Sequence, residues 1–171
     1  MDLSNLFTKA VGVLKLRKSS MSEAMEAPLS HGLFILALMS ILAALGYVFF
    51  PEYPTEGVVY RPDFFWVLGR SIGSFLFFFL SFGLIGAVAE NVLDAKISTK
   101  SFVTLMGHAS LAGFILLVPS LFPAVILWWF FIMYEALTKL GKLGLGSVVF
   151  LLCIQFVFSL LLGYAYFPFP G

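Results

Sequence analysis

Hydrophobic residues in this chain are concentrated in long segments that short polar stretches separate. Crossing a bilayer core of about 30 Å takes about 20 predominantly apolar residues in an α-helix. The first such segment covers residues 29–50 and ends at a proline and a polar loop. The second covers residues 71–93, after Arg70, and the last covers residues 145–167, after a glycine-containing hinge. The pattern therefore predicts a transmembrane helix in each of these three segments.

The apolar stretch between the second and the last segment is too long for a single crossing. It covers residues 102–138, which as one α-helix would be about 55 Å long. Pro119 and Pro123 interrupt it, and a proline disrupts a helix interior but suits a helix start. We expect two crossings, residues 102–118 and 121–138, joined by a tight turn at the membrane surface. The chain is thus predicted to be an all-α, multi-pass transmembrane bundle of five helices.

The positions of Lys and Arg support five helices and orient them. Basic residues are enriched in the cytoplasmic loops of membrane proteins. With five helices and a cytoplasmic N-terminus, eight of the ten Lys and Arg residues lie on the cytoplasmic side: Lys9, Lys15, Arg17, Lys18, Lys96, Lys100, Lys139 and Lys142. Merging the third and fourth helices would leave only six of the ten there. The C-terminus is therefore predicted to lie outside the cytoplasm.

Residues 1–28 are predicted to form a cytoplasmic, amphipathic segment ahead of a transmembrane domain of residues 29–171. Apolar residues recur at helical spacing opposite basic ones: Leu3, Phe7, Ala10 and Leu14, with Leu6, Val11 and Val13 widening the stripe. A short basic amphipathic helix is typical of the headgroup layer of the cytoplasmic leaflet. We interpret it as an interfacial anchor, with docking of a partner protein as the alternative. Residues 19–30 are expected to be a connector.

The composition agrees with a membrane protein and excludes several other classes. Of the 171 residues, 61% are hydrophobic and 11% are charged, whereas soluble domains are nearer half apolar and a quarter charged. A chain this apolar and this weakly charged could not stay solvated without folding, which excludes intrinsic disorder. A net charge of +1 provides no basic surface for nucleic acid. The single cysteine, Cys153, excludes an intrachain disulfide. The lipid bilayer is the expected partner.

A few polar residues lie within or at the ends of the predicted helices, and ionisable groups in a bilayer are costly enough to invite a functional interpretation. Five of them share the cytoplasmic half of the second, third and fourth helices: Glu90, Asn91, His108, Glu135 and Lys139. We hypothesise that they surround one polar pocket that opens to the cytoplasm. The structural alternatives are an interfacial salt bridge between the last two, which are four residues apart, and a histidine that hydrogen-bonds a neighbouring helix.

The sequence contains no catalytic or metal-binding arrangement. Only two histidines occur, and no His/Cys cluster has the spacing of metal ligands. Ser110 is two residues from His108, so the two do not share a helix face. We therefore expect neither enzymatic activity nor a cofactor or metal. Small residues instead indicate close helix packing: Gly83 and Gly86 on the second helix, Gly107 and Gly113 on the third.

Three stretches, residues 101–119, 128–137 and 143–149, carry a resemblance to a known membrane family. The first contains a Gly-His-Ala-Ser-Leu run that starts at Gly107. With the cytoplasmic N-terminal segment, the five helices and the short external C-terminus, these stretches resemble the Yip-type (Ypt/Rab-interacting protein) membrane domain family. Its third helix opens with a Gly-Tyr-x-Ser-Leu-x-Pro-like stretch. Here His108 takes the aromatic position and the proline is missing.

The resemblance implies a prokaryotic-type member in the cytoplasmic membrane of a cell. Eukaryotic members are associated with Rab GTPases through a longer cytoplasmic region with an Asp-Leu-Tyr-Gly-Pro stretch, which this chain lacks, so GTPase binding is not carried over. We expect a non-catalytic membrane protein that organises or binds partner proteins, as a subunit of a larger complex or as a homo-oligomer. The alternative is a small oligomeric transporter or channel that uses the polar pocket. Lipid handling at the bilayer surface is a third hypothesis, which rests on the amphipathic helix alone.

Overall fold

The computed structural model describes residues 3–49, 63–117 and 122–166, and these residues form helices and short turns with no strand. The α-helices are α1 Leu3–Leu14, α2 Lys18–Glu26, α3 Leu29–Phe49, α4 Phe64–Asn91, α5 Thr99–Ala109, α6 Phe122–Glu135 and α7 Leu145–Tyr166. A 3₁₀ segment, Ser110–Leu117, continues α5, and a π segment, Ala136–Leu140, continues α6. The predicted all-α class is confirmed for this part of the chain.

By length and composition, two helices in the described ranges could cross a membrane: α3, over Leu29–Gly46, and the whole of α4. In α4, Arg70 and Glu90 enclose 19 residues without a charged side chain. A rise of 1.5 Å per residue places these two charged residues about 30 Å apart, which is the thickness of a bilayer core. The helix itself begins earlier than the apolar segment, because Asp63 accepts the N–H of Trp66 at 2.7 Å and caps it.

The central helix of the bundle is α5. Residues 102–110 are all buried, and α5 contacts α1, α2, α3, α4 and α6. Three of the buried residues are polar, and each hydrogen-bonds the backbone carbonyl four residues before it: Thr104, His108 and Ser110. Such bonds give a buried polar atom a partner within its own helix. A helix that is enclosed on every side therefore carries His108 into the middle of the bundle.

The third predicted crossing changes its helix type halfway. It was expected as an α-helix over residues 102–118, which would be about 25 Å long. Instead α5 begins at Thr99, because the Ser98 hydroxyl accepts the N–H of Ser101 at 3.2 Å. With a rise of 1.5 Å in α5 and 2.0 Å in the 3₁₀ segment, the two together extend about 32 Å. The turn predicted between the third and fourth crossings falls on residues outside the described ranges.

Two hydrogen bonds show that α6 runs antiparallel to α5 and bring two loops together. Trp129 donates from Nε1 to the Ala109 carbonyl at 3.1 Å. At the other end, the Lys96 N–H donates to the Gly141 carbonyl at 2.9 Å, and Ile97 is buried against Gly141. The α4–α5 and α6–α7 loops therefore meet at one end of the bundle, which gathers their basic residues there.

The predicted connector over residues 19–30 is wrong for most of its length, because it contains α2. Met21 and Ala24 lie three residues apart on one face of α2 and are buried in the main core. The turn before α2 is a Schellman motif: the N–H of Leu16 donates to Val13 and that of Arg17 donates to Gly12. Leu16 adopts a φ of 55° there. The burial of an apolar face against α5 therefore makes this segment helical.

The amphipathic helix predicted at the N-terminus is present as α1, and its buried face is one part of the predicted apolar stripe. Leu6 and Ala10 pack with Ile35 and Met39 of α3, and Val13 joins the main core. Of the seven stripe residues these three are buried, whereas Leu3 and Val11 are 50% and 40% exposed. One apolar face of α1 thus belongs to the core of its own chain, while a second remains on the outside.

Candidate functional site

Glu90 lies in the last turn of α4 and caps the start of α5. Its Oε2 accepts hydrogen bonds from both the backbone N–H and the hydroxyl of Thr99, each at 2.6 Å. Free N–H groups and the helix dipole stabilise a carboxylate at a helix N-terminus. Gly86, one turn earlier, permits this approach, since a Cβ there would lie 3.1 Å from the Thr99 Cα. Glu90 therefore holds two helices together.

The other predicted pocket residues near helix ends also have local partners. Asn91 is exposed and donates from Nδ2 to the Ala87 carbonyl at 2.9 Å. Glu135 and Lys139 form the ion pair that their spacing predicts. The Lys139 side chain is 60% exposed, and exposed pairs of this kind contribute only about 0–1 kcal/mol. These three residues therefore have structural explanations.

His108 has one partner and one open position. Its side chain is fully buried, and Nδ1 lies 2.8 Å from the Thr104 carbonyl oxygen. Because a carbonyl only accepts, Nδ1 carries the hydrogen and Nε2 of the neutral ring carries the lone pair. Nε2 is buried and has no hydrogen-bond partner among the described residues. An unpaired buried polar atom costs about 1–3 kcal/mol, so it requires an explanation.

His108 lies beside a point where the backbones of α3 and α5 touch. A Cβ added to Gly32 would lie 2.6 Å from the Thr104 carbonyl oxygen, and a Cβ added to Gly107 would lie 2.6 Å from the Gly32 Cα. Only glycine fits at such distances. His31 precedes Gly32 in the chain and is partly exposed.

The five residues predicted to share a pocket do not form one hydrogen-bonded cluster. Within the described ranges, no hydrogen bond or ion pair joins Glu90, Asn91 or His108 to one another or to the Glu135–Lys139 pair. Glu90 binds at Thr99, nine residues before His108, which is about 13 Å along the axis of α5. His108 instead lies beside the contact between Gly32 of α3 and Gly107 of α5.

The packing glycines differ in their surroundings. Gly86 and Gly107 make the close helix contacts described above, and Gly113 is buried in the 3₁₀ segment. A Cβ at Gly83, however, would meet no heavy atom within 4 Å. The sequence does not mark Gly32 as a packing residue, because no small residue lies at the i+4 position on α3.

Two further polar contacts inside the bundle were not predicted. The Ser81 hydroxyl donates to Gln155 Oε1 at 2.5 Å and joins α4 to α7. The indole of Trp129, which is 6% exposed, joins α6 to α5 through its bond to Ala109. The sequence does indicate a polar contact at Gln155, since it is a polar residue in an otherwise apolar helix. Its partner is 74 residues away in the chain, and no sequence pattern identifies it.

The described residues contain no group of three or more His, Cys, Asp or Glu that could hold a metal ion. Cys153 is a free, exposed thiol on α7. The geometry therefore leaves His108, whose unpartnered Nε2 is buried next to the contact between Gly32 and Gly107, as the candidate site. Comparison with family models, with curated proteins and with solved structures finds no match for this chain.

Proposed function

We propose that this chain is a non-catalytic, Yip-type integral membrane protein that organises or binds partner proteins, as a subunit of a larger complex or as a homo-oligomer. In this proposal α3, α4, α6 and α7 each cross the bilayer once, and α5 with its 3₁₀ segment forms the fifth crossing. The N-terminus is cytoplasmic and the C-terminus lies outside, in a prokaryotic cytoplasmic membrane. The meeting of the two lysine-bearing loops at one end of the bundle supports this orientation.

The observation that carries the proposal is the exposed apolar surface of α4. Its outward residues recur every three or four positions and are each at least 42% exposed: Phe65, Leu68, Ile72, Leu76, Leu80 and Leu84. This stripe is about 28 Å long. Only 28% of α4 and 39% of Leu29–Gly46 are buried inside the chain, whereas the core helix of a soluble protein is mostly buried. Exposure of such an apolar surface to water is unfavourable, and lipid would cover it.

A patch on α6 supports protein partners within the membrane. Leu127, Trp128 and Phe131 are 70%, 40% and 49% exposed, and the Trp128 and Phe131 rings stack with centroids 5.9 Å apart. Rigid aromatic side chains are enriched at protein interfaces. The described loops are short, so a partner would be held by helix surfaces such as this one.

Purification from the native membrane in a mild detergent tests the proposal. We expect the wild-type chain to elute as an assembly larger than one chain, and the L127A/F131A variant to elute as a single chain. The L80A/L84A variant removes two exposed leucines from α4 and serves as the matched control. A wild-type chain that elutes alone, and that forms no adduct after crosslinking in the membrane, would refute the proposal.

The second candidate function is a small oligomeric transporter or channel. The buried, unpartnered Nε2 of His108 favours it, because polar groups inside membrane domains mark substrate and ion pathways. Flux through reconstituted liposomes that His108→Ala abolishes, while the control variant Asn91→Ala retains it, would establish this function. The absence of any flux above protein-free liposomes would exclude it.

A further inference from the structure

We propose that the outer face of α1 binds one anionic phospholipid molecule of the cytoplasmic leaflet. A groove of about 450 Å³ runs along this face. Two cationic side chains, Lys15 and Arg17, line one end of the groove, and the apolar side chains of Phe7 and Val11 line its middle. Such a groove fits a molecule with a negatively charged head and an apolar chain. The inference rests on the membrane-spanning part of the proposed function and adds a ligand to it.

The turn that ends α1 brings both cations to the same groove. In a continuous α-helix, residues two apart do not share a face, so Lys15 and Arg17 would point away from each other. Leu16, between them, adopts a φ of 55°, and the N–H of Arg17 donates to the Gly12 carbonyl at 3.1 Å. The chain therefore folds back beside α1. Leu16 packs against the main core and holds this turn in place.

The positive charge at this end of the groove has no protein counter-charge among the described residues. Lys15 and Arg17 are both exposed, and the single ion pair found in the described ranges joins Glu135 to Lys139. None of the described residues that line the groove is acidic. Lys and Arg bind phosphate oxygens through charge-assisted hydrogen bonds. The phosphate of the lipid therefore belongs at this end.

The position of α1 in the bundle gives the groove the depth that a lipid needs. Leu6 and Ala10 pack with Ile35 and Met39 of α3, which follow the start of α3 by about 9 and 15 Å along its axis. If α3 enters the bilayer at its cytoplasmic end, the first turns of α1 lie at the depth of the acyl chains. The two cations lie at the other end of α1, beside α2, which leads to the cytoplasmic start of α3. The groove therefore runs from the headgroup layer toward the acyl chains.

Thermal unfolding of the purified full chain in a neutral detergent tests the groove. Phosphatidylglycerol is added to the micelles, and phosphatidylcholine with the same acyl chains, which has no net charge, is the control. At about 100 times the dissociation constant, phosphatidylglycerol should raise Tm by about 5 °C or more. Glycerophosphoglycerol, the same head without acyl chains, should cause no shift. No shift with phosphatidylglycerol, or an equal shift with either control compound, would overturn the proposal.

Variants of the basic residues show whether the headgroup binds in the groove. K15Q and R17Q each remove a charge-assisted hydrogen bond and should weaken the binding of phosphatidylglycerol about tenfold. K18Q removes the same charge from an exposed residue at the start of α2 that does not line the groove, so it should bind like the wild type. Unchanged binding by K15Q and R17Q would overturn the proposal. So would an equal loss in K18Q, because it would indicate a general attraction between charges.

A second pair of variants shows whether the acyl chain lies in the groove. V11N places a polar side chain in its apolar middle and should weaken binding roughly three- to tenfold. L3N makes the same kind of change at a residue of α1 that is 50% exposed and does not line the groove. It should therefore leave binding unchanged. Equal losses in the two variants would place the acyl chain elsewhere and contradict the proposal.

Failure of the lipid groove and failure of the proposed function are distinguishable. Release of the chain from membranes by alkaline carbonate would refute the membrane crossings and, with them, both proposals. A chain that stays in the membrane but does not respond to phosphatidylglycerol refutes the groove alone. The unfolding measurement uses the isolated chain, so it does not depend on whether partner proteins co-purify. If K15Q and R17Q abolish the larger assembly but keep the full lipid shift, the groove holds an acidic segment of a partner protein, and the lipid proposal is wrong.

Discussion

The contact between Gly32 and Gly107 makes a sharp prediction, because the chain offers the same substitution at a position without neighbours. In Gly107→Ala the new Cβ would lie 2.6 Å from the Gly32 Cα. Carbon atoms pack best at about 3.5–4.0 Å, so α3 and α5 would have to separate by about 1 Å. Overpacking of this kind costs about 3 kcal/mol, and the better helix propensity of alanine offsets about 1 kcal/mol. We expect a net loss of about 2 kcal/mol.

The matched control is Gly83→Ala on α4, where the new Cβ would meet no heavy atom within 4 Å. This variant gains helix propensity without a clash, so its stability should be unchanged or higher by up to about 1 kcal/mol. Thermal unfolding in detergent micelles measures both variants. A loss of 2 kcal/mol lowers Tm by about 4–8 °C for a chain of this size. We therefore expect the Tm of Gly107→Ala to fall below the wild-type value and the Tm of Gly83→Ala to equal or exceed it.

A Gly107→Ala variant that unfolds at the wild-type temperature would refute the backbone contact. Gly32→Ala provides an independent check, since its Cβ would lie 2.6 Å from the Thr104 carbonyl oxygen and should be similarly destabilising. Because both substitutions separate the same two helices, their effects should not add in the double variant. Full additivity would place the two glycines in different contacts.

Three further predictions concern polar contacts between helices, and the same unfolding measurement tests them. Glu90→Gln removes the charge that caps α5 and should lower Tm, whereas Asn91→Ala, at an exposed neighbour, should have no effect; equal Tm values for the two would contradict the cap. Trp129→Phe removes the hydrogen bond to Ala109 and should cost about 1 kcal/mol more than Trp128→Phe on the exposed face; a larger loss from Trp128→Phe would contradict the antiparallel packing of α5 and α6. Ser81→Ala removes the hydrogen bond that joins α4 to α7 and should cost about 1–2 kcal/mol; an unchanged Tm would contradict this contact.

The helices themselves could be predicted from the sequence because hydropathy and helix signals are local. The first and last predicted segments, residues 29–50 and 145–167, end within one residue of α3 and α7. The i,i+4 pair of Glu135 and Lys139 was also predictable, since both residues belong to one helical stretch. In each case the information lies within about twenty consecutive residues.

What only the tertiary structure decided is which helix faces meet. Hydropathy does not show that Met21 and Ala24 have a face of α5 to pack against, so α2 was expected to be a connector. It does not show that Gly32 meets Gly107, 75 positions later, or that His108 lies beside this contact and far from Glu90. The physical reason is that an apolar helix is compatible with many neighbours, because burial is non-directional. The close approaches and hydrogen bonds that select one arrangement join residues far apart in the chain.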